Sequence, residues 1–335
     1  MSTQNPSVLA LQVLGIIDEV LADSSQATEA VREQLRWHVA AHPGHPEEAL
    51  LEHLTSLRQQ HQDPAVENPL TLVAQPSEQP GNARLEAVLR DRMLMTAFQP
   101  VFNLTTSAVV GAEALTRFVS DGGDPADYWF AEAEDTGLRT DLEFAALESG
   151  LKAAVDLPPH LFVALKLSHS VCLDPRLPSL FDETPVSPAR MVLEISGQFP
   201  PDQTAELDAA VAPLRSSGVR LSIENTGSYF AAVRHILRLK PEMIKLDRSL
   251  TAGLDQDPLR QELVEAEVGF ARDVGAVLSA QRIETGAELA AIARLGITVG
   301  QGFHLGRPSV QPGDWAMWAG RNGHLTFPGP SGMLA

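Results

Sequence analysis

Short apolar runs alternate with amphipathic helical stretches over most of the chain. Six runs have the length of buried strands, and five segments with a helical period lie between or after them. The runs are 161–168, 191–196, 219–225, 243–247, 276–282 and 297–304, and the helical segments are 142–155, 205–216, 228–239, 261–274 and 287–295. Regular alternation of this kind predicts a parallel sheet in an α/β fold, closed as a (β/α)8 TIM-like barrel, with an open doubly wound sheet as the alternative.

Two further apolar runs, 97–102 and 108–115, precede these strands and are joined by a hairpin-like turn. The second run carries Glu113 where a buried strand ordinarily has an aliphatic residue. A buried carboxylate is costly unless a metal ion or a cation pairs with it. Arg117 follows four residues later and can hold a phosphate, so the two residues together suggest chemistry on a phosphate ester.

Composition shifts divide the chain into four parts. Residues 1–62 predict short helices that form a bundle or a dimerisation region. Residues 63–83 contain four prolines and a glycine among polar residues and predict a linker. Residues 84–320 hold the predicted barrel, and the glycine- and proline-rich residues 321–335 predict a flexible tail.

The net charge limits the classes of partner, and the cysteine content indicates the compartment. A formal net charge of −18 argues against direct nucleic-acid binding and against an anionic membrane surface. No apolar run approaches the roughly 20 residues of a membrane-spanning helix, and the first apolar segment has no basic leader. The single cysteine, Cys172, excludes an internal disulfide and fits a reducing compartment, so we expect a cytoplasmic protein.

Nearly every predicted strand ends on a charged or amide residue, and barrel enzymes place their chemistry at the carboxyl ends of strands. In chain order these residues are Glu113, Lys166, Glu194, Glu224 with Asn225, Lys245 with Asp247, Gln281 with Glu284, and Gln301. Any one of them could be a solvated strand end or a structural ion pair. So many together predict a functional site or the remnant of one.

Five segments, in order along the chain, resemble the EAL domain, the barrel phosphodiesterase that linearises cyclic di-GMP in bacterial signalling. The segments are Phe98-Gln99-Pro100, Glu113-Ala114-Leu115, 133–138, 244–249 and 301–308. The resemblance covers residues 85–318 and implies the barrel fold. It also implies ligand contacts at Gln99, Leu115, Arg117, Gln301 and Pro308.

The resemblance also implies a mechanism with two divalent cations, and such sites need dense negative charge. Glu113, Glu194 and Lys245 match the family pattern. Four other ligand and base positions depart from it: Lys166 replaces an asparagine, Glu224-Asn225 replaces an Asp-Asp pair, and Gln281 replaces the general-base glutamate. Five carboxylates and one lysine in the family thus become three carboxylates and two lysines, and an amide cannot accept a proton from water.

We therefore expect the two-metal site to be lost, with no metal cofactor and no catalysis. The first hypothesis is a regulatory protein that binds cyclic di-GMP through the remnant site, with Lys166 meeting the phosphate directly. The alternative for Lys166 is an ion pair with Glu113 or Glu194 that fills the metal site. The alternative function is a nucleotide-independent regulator with an unidentified protein partner or a homodimer, and weak residual phosphodiesterase ranks last.

Overall fold

The computed structural model describes residues 81–119, 124–196, 203–225, 229–320 and 325. The helical region predicted over 1–62, most of the linker predicted over 63–83 and nearly all of the predicted tail lie outside the described residues. Within the described residues, no helix combines the length and the apolar character required to cross a membrane.

Eight strands close into a barrel in which each strand pairs with the next and the last pairs with the first. The strands are β1 (Leu94–Asn103), β2 (Ala108–Phe118), β3 (Phe162–Leu167), β4 (Met191–Ser196), β5 (Arg220–Asn225), β6 (Met243–Leu246), β7 (Val277–Ala280) and β8 (Val299–Gly300). The predicted (β/α)8 barrel is confirmed, and the open doubly wound alternative is wrong.

The described helices surround this barrel. They are α1 (Gly81–Arg90), α2 (Ala126–Asp135), α3 (Arg139–Ala153), α4 (His169–Leu173), α5 (Arg176–Glu183), α6 (Thr204–Ser216), α7 (Tyr229–Leu239), α8 (Arg248–Thr251), α9 (Pro258–Val274), α10 (Gly286–Arg294) and α11 (Pro312–Ala316). Start signals explain where two of them begin. Asp257 caps α9 through its side chain, with Pro258 in the first turn, and Thr285 with Glu288 forms a capping box on α10.

The hairpin-like turn predicted between the first two runs is confirmed, and β1 runs antiparallel to both β2 and β8, whereas the other neighbouring strands are parallel. Only the turn 104–107 joins β1 to β2, and parallel neighbours need a crossover of a dozen or more residues. The strand predicted over 297–304 is also shorter than expected. After Gly300 the backbone turns, and the amide N–H of Gly306 donates to the carbonyl of Gly302 at 2.9 Å.

Apolar side chains fill the barrel below its polar mouth. Val192, Met243 and Val299 are buried members of one interior cluster. Each lies two residues before a polar residue on the same strand or at its end, and therefore on the same face, one step deeper in the barrel. A second, larger cluster packs the outer surface of the strands against the helices. On the even-numbered strands the polar site consequently rests on apolar side chains.

Gly302 is a position where the fold has no room for a side chain. A Cβ at this residue would lie 2.2 Å from the backbone nitrogen and oxygen of Ile283. We expect Gly302→Ala to lower the free energy of unfolding by about 1–3 kcal/mol, because the loop after β8 must move away from the segment after β7. Denaturant unfolding of the purified protein measures this change.

Gly269→Ala is the matched control for that substitution. Gly269 lies inside α9, and a Cβ there would meet nothing within 4 Å. This second variant should gain about 0.5–1 kcal/mol from the better helix propensity of alanine. Equal effects of the two variants would show that Gly302 is not sterically required.

Candidate functional site

Four buried polar side chains from the even-numbered strands meet inside the barrel, and we call them the even-strand cluster. They are Glu113 of β2, Glu194 of β4, Lys245 of β6 and Gln301, which follows β8 directly. Lys245 Nζ donates to Glu113 Oε2 at 3.0 Å and to Glu194 Oε2 at 2.6 Å. Gln301 Nε2 donates to the same oxygen of Glu113. Alternate strands of such barrels contribute side chains to one layer, which explains how these distant positions meet.

The two glutamates of this cluster are in different electrostatic situations. Burial raises the pKa of Glu113, but the charge of Lys245 and the hydrogen bonds from Gln301 and Lys245 outweigh it, so the pKa is lowered overall. Burial and the charge of Glu113 raise the pKa of Glu194 to about 7. Among the described residues, no hydrogen-bond partner faces Glu194 Oε1.

Lys245 is the charge centre of the even-strand cluster. Burial alone lowers the pKa of this ammonium group, yet the carboxylates of Glu113 and Glu194 reverse the effect and raise it. The lysine side chain is only 3% exposed. The cluster therefore holds a buried cation between two carboxylates, and the cation is part of the protein itself.

Three polar side chains from odd-numbered strands lie together nearer the mouth, and we call them the odd-strand cluster. They are Lys166 of β3, Glu224 of β5 and Gln281, which follows β7 directly. Lys166 Nζ donates to Glu224 Oε2 at 2.8 Å, and Gln281 Nε2 lies 3.4 Å from Glu224 Oε1. All three residues depart from the family pattern. The departures whose side chains the structure describes are thus joined in one cluster.

The predicted ion pair of Lys166 with Glu113 or Glu194 is wrong, because Lys166 pairs with Glu224. The β3–β4 register sets Lys166 beside Glu194, yet the hydrogen bond that Glu194 accepts from a lysine comes from Lys245, at 2.6 Å. The side chain of Lys166 is 56% exposed and reaches the largely buried carboxylate of Glu224 from the solvent side. Burial lowers the pKa of Lys166, while the charges of Glu224 and Glu194 outweigh this and raise it.

The residues predicted to contact a ligand fall into two groups. Gln99 is buried and donates to the carbonyl of Gly306 at 3.0 Å, and Gln301 is bonded to Glu113 as described above. Leu115 and Pro308 are half-buried, and Arg117 is exposed. Within the described residues the guanidinium of Arg117 contacts no carboxylate and donates only to the neighbouring carbonyl of Thr116, at 3.0 Å.

Two other predicted site residues do not join either cluster. Glu284 is half-exposed and forms an ion pair with Arg248 at 3.3 Å. Asp247 caps α8 by accepting the amide N–H of Ser249. Asn225 ends β5, and its side chain lies outside the described part of the structure. Among the described residues, no three His, Cys, Asp or Glu side chains are grouped to hold a metal ion.

Sequence reasoning missed the polar floor residue Ser222, which is fully buried and neighbours Glu194 in the β4–β5 register. No hydrogen-bond partner for Ser222 Oγ is found among the described residues. The alternation of side chains along β5 could have identified it, because Ser222 precedes Glu224 by two residues and therefore also faces the interior. A polar inward residue below a charged one marks a deeper polar layer.

The family model of the EAL domain matches residues 82–308, which is more than half of the chain. The chain belongs to the EAL-domain family. The probable cyclic di-GMP phosphodiesterase PdeB of Escherichia coli is 22% identical to this EAL protein over 246 residues, 70% of this chain and 46% of PdeB. The bifunctional diguanylate cyclase/cyclic di-GMP phosphodiesterase MucR of Pseudomonas aeruginosa is 26% identical over 67% of this chain and 34% of MucR. The EAL protein thus spans less than half the length of these two relatives.

Solved structures agree with the barrel of this EAL protein. The EAL domain of FimX from Xanthomonas citri, solved in complex with cyclic di-GMP, has a TM-score of 0.62 at 16% identity and covers 69% of this chain and 94% of that chain. The PaMucR phosphodiesterase, solved as a cyclic di-GMP complex, has a TM-score of 0.61 at 23% identity, covering 68% and 96%. At these identities the likeness establishes the fold.

Proposed function

We propose that this EAL protein is a catalytically inactive regulator that binds cyclic di-GMP without metal ions. The observation that supports the proposal is the pairing of the site's glutamates with lysines. Lys245 lies between Glu113 and Glu194, and Lys166 pairs with Glu224. Two divalent cations close together require carboxylate oxygens that are free to coordinate and an excess of negative charge. Three glutamates against two lysines do not fit such a pair of cations.

The second argument concerns proton transfer. The position that the resemblance assigns to the general base is Gln281, and its amide donates toward Glu224 instead of accepting a proton from water. The obstacles to metal binding and to proton abstraction are independent of each other. Restoring only the metal ligands, or only the general base, should therefore leave the protein inactive.

Binding of the nucleotide needs cationic donors at the mouth, and the chain retains two. Arg117 is exposed and contacts no carboxylate among the described residues, so its planar guanidinium is free for a phosphate. Lys166 places an ammonium group on β3, the strand that neighbours the β2 strand of Arg117, with about half of its side chain in solvent. Together they supply positive charge for a phosphodiester in place of metal ions.

A calorimetric titration with cyclic di-GMP in EDTA tests the proposal directly. We expect micromolar binding with no metal present, and no linear dinucleotide after long incubation with magnesium or manganese. Slow manganese-dependent hydrolysis would instead support residual phosphodiesterase activity. No heat of binding in either EDTA or excess magnesium would refute binding of cyclic di-GMP and favour the second function below.

Arg117→Ala should weaken binding of cyclic di-GMP by about tenfold or more, because a charge-assisted contact to phosphate is lost. Arg294→Ala is the matched control. Arg294 is exposed in the last turn of α10, and helices of such a barrel run back from the mouth to its opposite end. Equal losses in the two variants would show that Arg117 acts only through net charge.

The second candidate function is a protein-interaction regulator that no longer binds nucleotide. One observation favours it: both glutamines assigned to ligand contact have internal partners, Gln99 in the carbonyl of Gly306 and Gln301 in Glu113. Buried polar groups that are already hydrogen-bonded need no ligand for stability. An unidentified protein partner and a homodimer are the forms this function would take.

A further inference from the structure

The odd-strand cluster differs from the even-strand cluster in exposure, although both pair lysine with glutamate. The Lys245 side chain is 3% exposed, whereas that of Lys166 is 56% exposed and that of its partner Glu224 is 13% exposed. Ion pairs that solvent reaches contribute little to stability, since water and salt screen the attraction. The Lys166–Glu224 pair is therefore the one that an incoming anion can separate at small cost.

Gln281 gives Glu224 a second anchor. Its Nε2 lies 3.4 Å from Glu224 Oε1, while Lys166 contacts Oε2. If Lys166 turned to another anion, Glu224 would keep the Gln281 amide as a donor to Oε1, and its side chain, 13% exposed, would keep limited contact with water. The remaining donor and this contact with water reduce the cost of leaving the carboxylate without the lysine.

We propose that Glu224 is a built-in competitor for the phosphate that Lys166 binds. A phosphodiester displaces the Glu224 carboxylate from Lys166 Nζ, and Gln281 holds the displaced side chain. The site thus exchanges one ion pair for another, and the competitor sets the affinity and the salt dependence of binding. This inference rests on the proposed metal-free binding of cyclic di-GMP and adds how that binding is regulated.

The test is the sign of the effect of Glu224→Gln on cyclic di-GMP binding, measured by calorimetry in EDTA. Removing the competitor should tighten binding by about three- to tenfold. A site that used Glu224 as a metal ligand would behave in the opposite way, because losing a carboxylate would weaken binding in magnesium. Glu265→Gln, an exposed position on α9, is the control for the change in net charge.

A double-mutant cycle with Lys166→Met separates competition from a general field effect. If Glu224 acts through Lys166, the gain from Glu224→Gln disappears when Lys166 is already methionine. A gain of the same size in both backgrounds would overturn the proposal, since the glutamate would then merely repel the ligand. Glu224→Ala and the circular dichroism of each variant guard against a fold defect in any single substitution.

The four outcomes distinguish this inference from the proposed function. Binding by the unmodified protein with a Lys166-dependent gain supports both, and binding without a gain overturns the competitor alone. If the unmodified protein does not bind cyclic di-GMP but Glu224→Gln does, the proposed receptor function is overturned and the competitor role of Glu224 is supported. If neither the unmodified protein nor Glu224→Gln binds, both are overturned.

Discussion

Lys245→Met is expected to lower the free energy of unfolding of the barrel by about 3–5 kcal/mol, which is a large part of the stability of an ordinary domain. The substitution keeps the length and apolar character of the side chain but removes the ammonium group that bonds Glu113 and Glu194. Both carboxylates would remain buried without a cation between them. Urea unfolding at pH 8, followed by circular dichroism, measures the loss.

Two further variants show whether the charge is responsible. Lys152→Met removes an exposed lysine from α3 and should change stability by no more than about 0.5 kcal/mol. Adding Glu113→Gln to Lys245→Met should recover part of the loss, because one uncompensated carboxylate disappears. If Lys245→Met is as stable as the unmodified protein, the even-strand cluster is not required for folding.

Glu194→Gln is expected to change how the stability of the protein depends on pH. The pKa of Glu194 is raised from its ordinary 4.5 to about 7 by burial and by the charge of Glu113. Between these values the folded protein holds the proton and the unfolded chain does not, so the glutamate makes stability fall as pH rises. The glutamine variant lacks this loss and should gain about 3 kcal/mol on the unmodified protein between pH 5 and pH 8.

The measurement is the difference between the two unfolding free energies at several pH values. Glu288→Gln is the matched control, because burial raises the pKa of Glu288 but backbone hydrogen bonds from Gly253, Glu284 and Thr285 lower it overall. That glutamate is ionised in both states above pH 5, so its variant should lose a constant amount across the range. A flat difference for Glu194→Gln would mean that Glu194 is ionised in the folded state throughout.

The strands and their order could be predicted because buried strands are continuous apolar runs bounded by turns. The predicted run 191–196 coincides with β4, and 219–225 differs from β5 by one residue. The run 297–304 failed at its second half, because the backbone turns after Gly300 and packs Gly302 against Ile283. Hydropathy carries no information about that close contact, whereas the glycine itself does.

The site was predicted as a set of residues but not as a set of pairs. The residue types and the strand ends identified Glu113, Lys166, Glu194, Glu224, Lys245 and Gln281. Which lysine meets which glutamate depends on side-chain length and on depth in the barrel, since Lys166 passes the neighbouring strand to reach Glu224. Odd and even strands contribute to different layers of the barrel, so strand parity separates the two clusters.

The two clusters carry different kinds of information: one makes the family recognisable in the sequence, and the other bears on catalytic activity. The even-strand cluster supplies Glu113, Lys245 and Gln301, which are among the residues that make the family pattern recognisable, and a barrel that buries them must keep them matched in charge to fold. A loss of hydrolysis would leave this cluster in place, whereas the half-exposed Lys166 is under no such constraint from folding. A match to the family pattern therefore indicates the fold and family of the barrel, and its activity has to be judged from Lys166, Glu224 and Gln281.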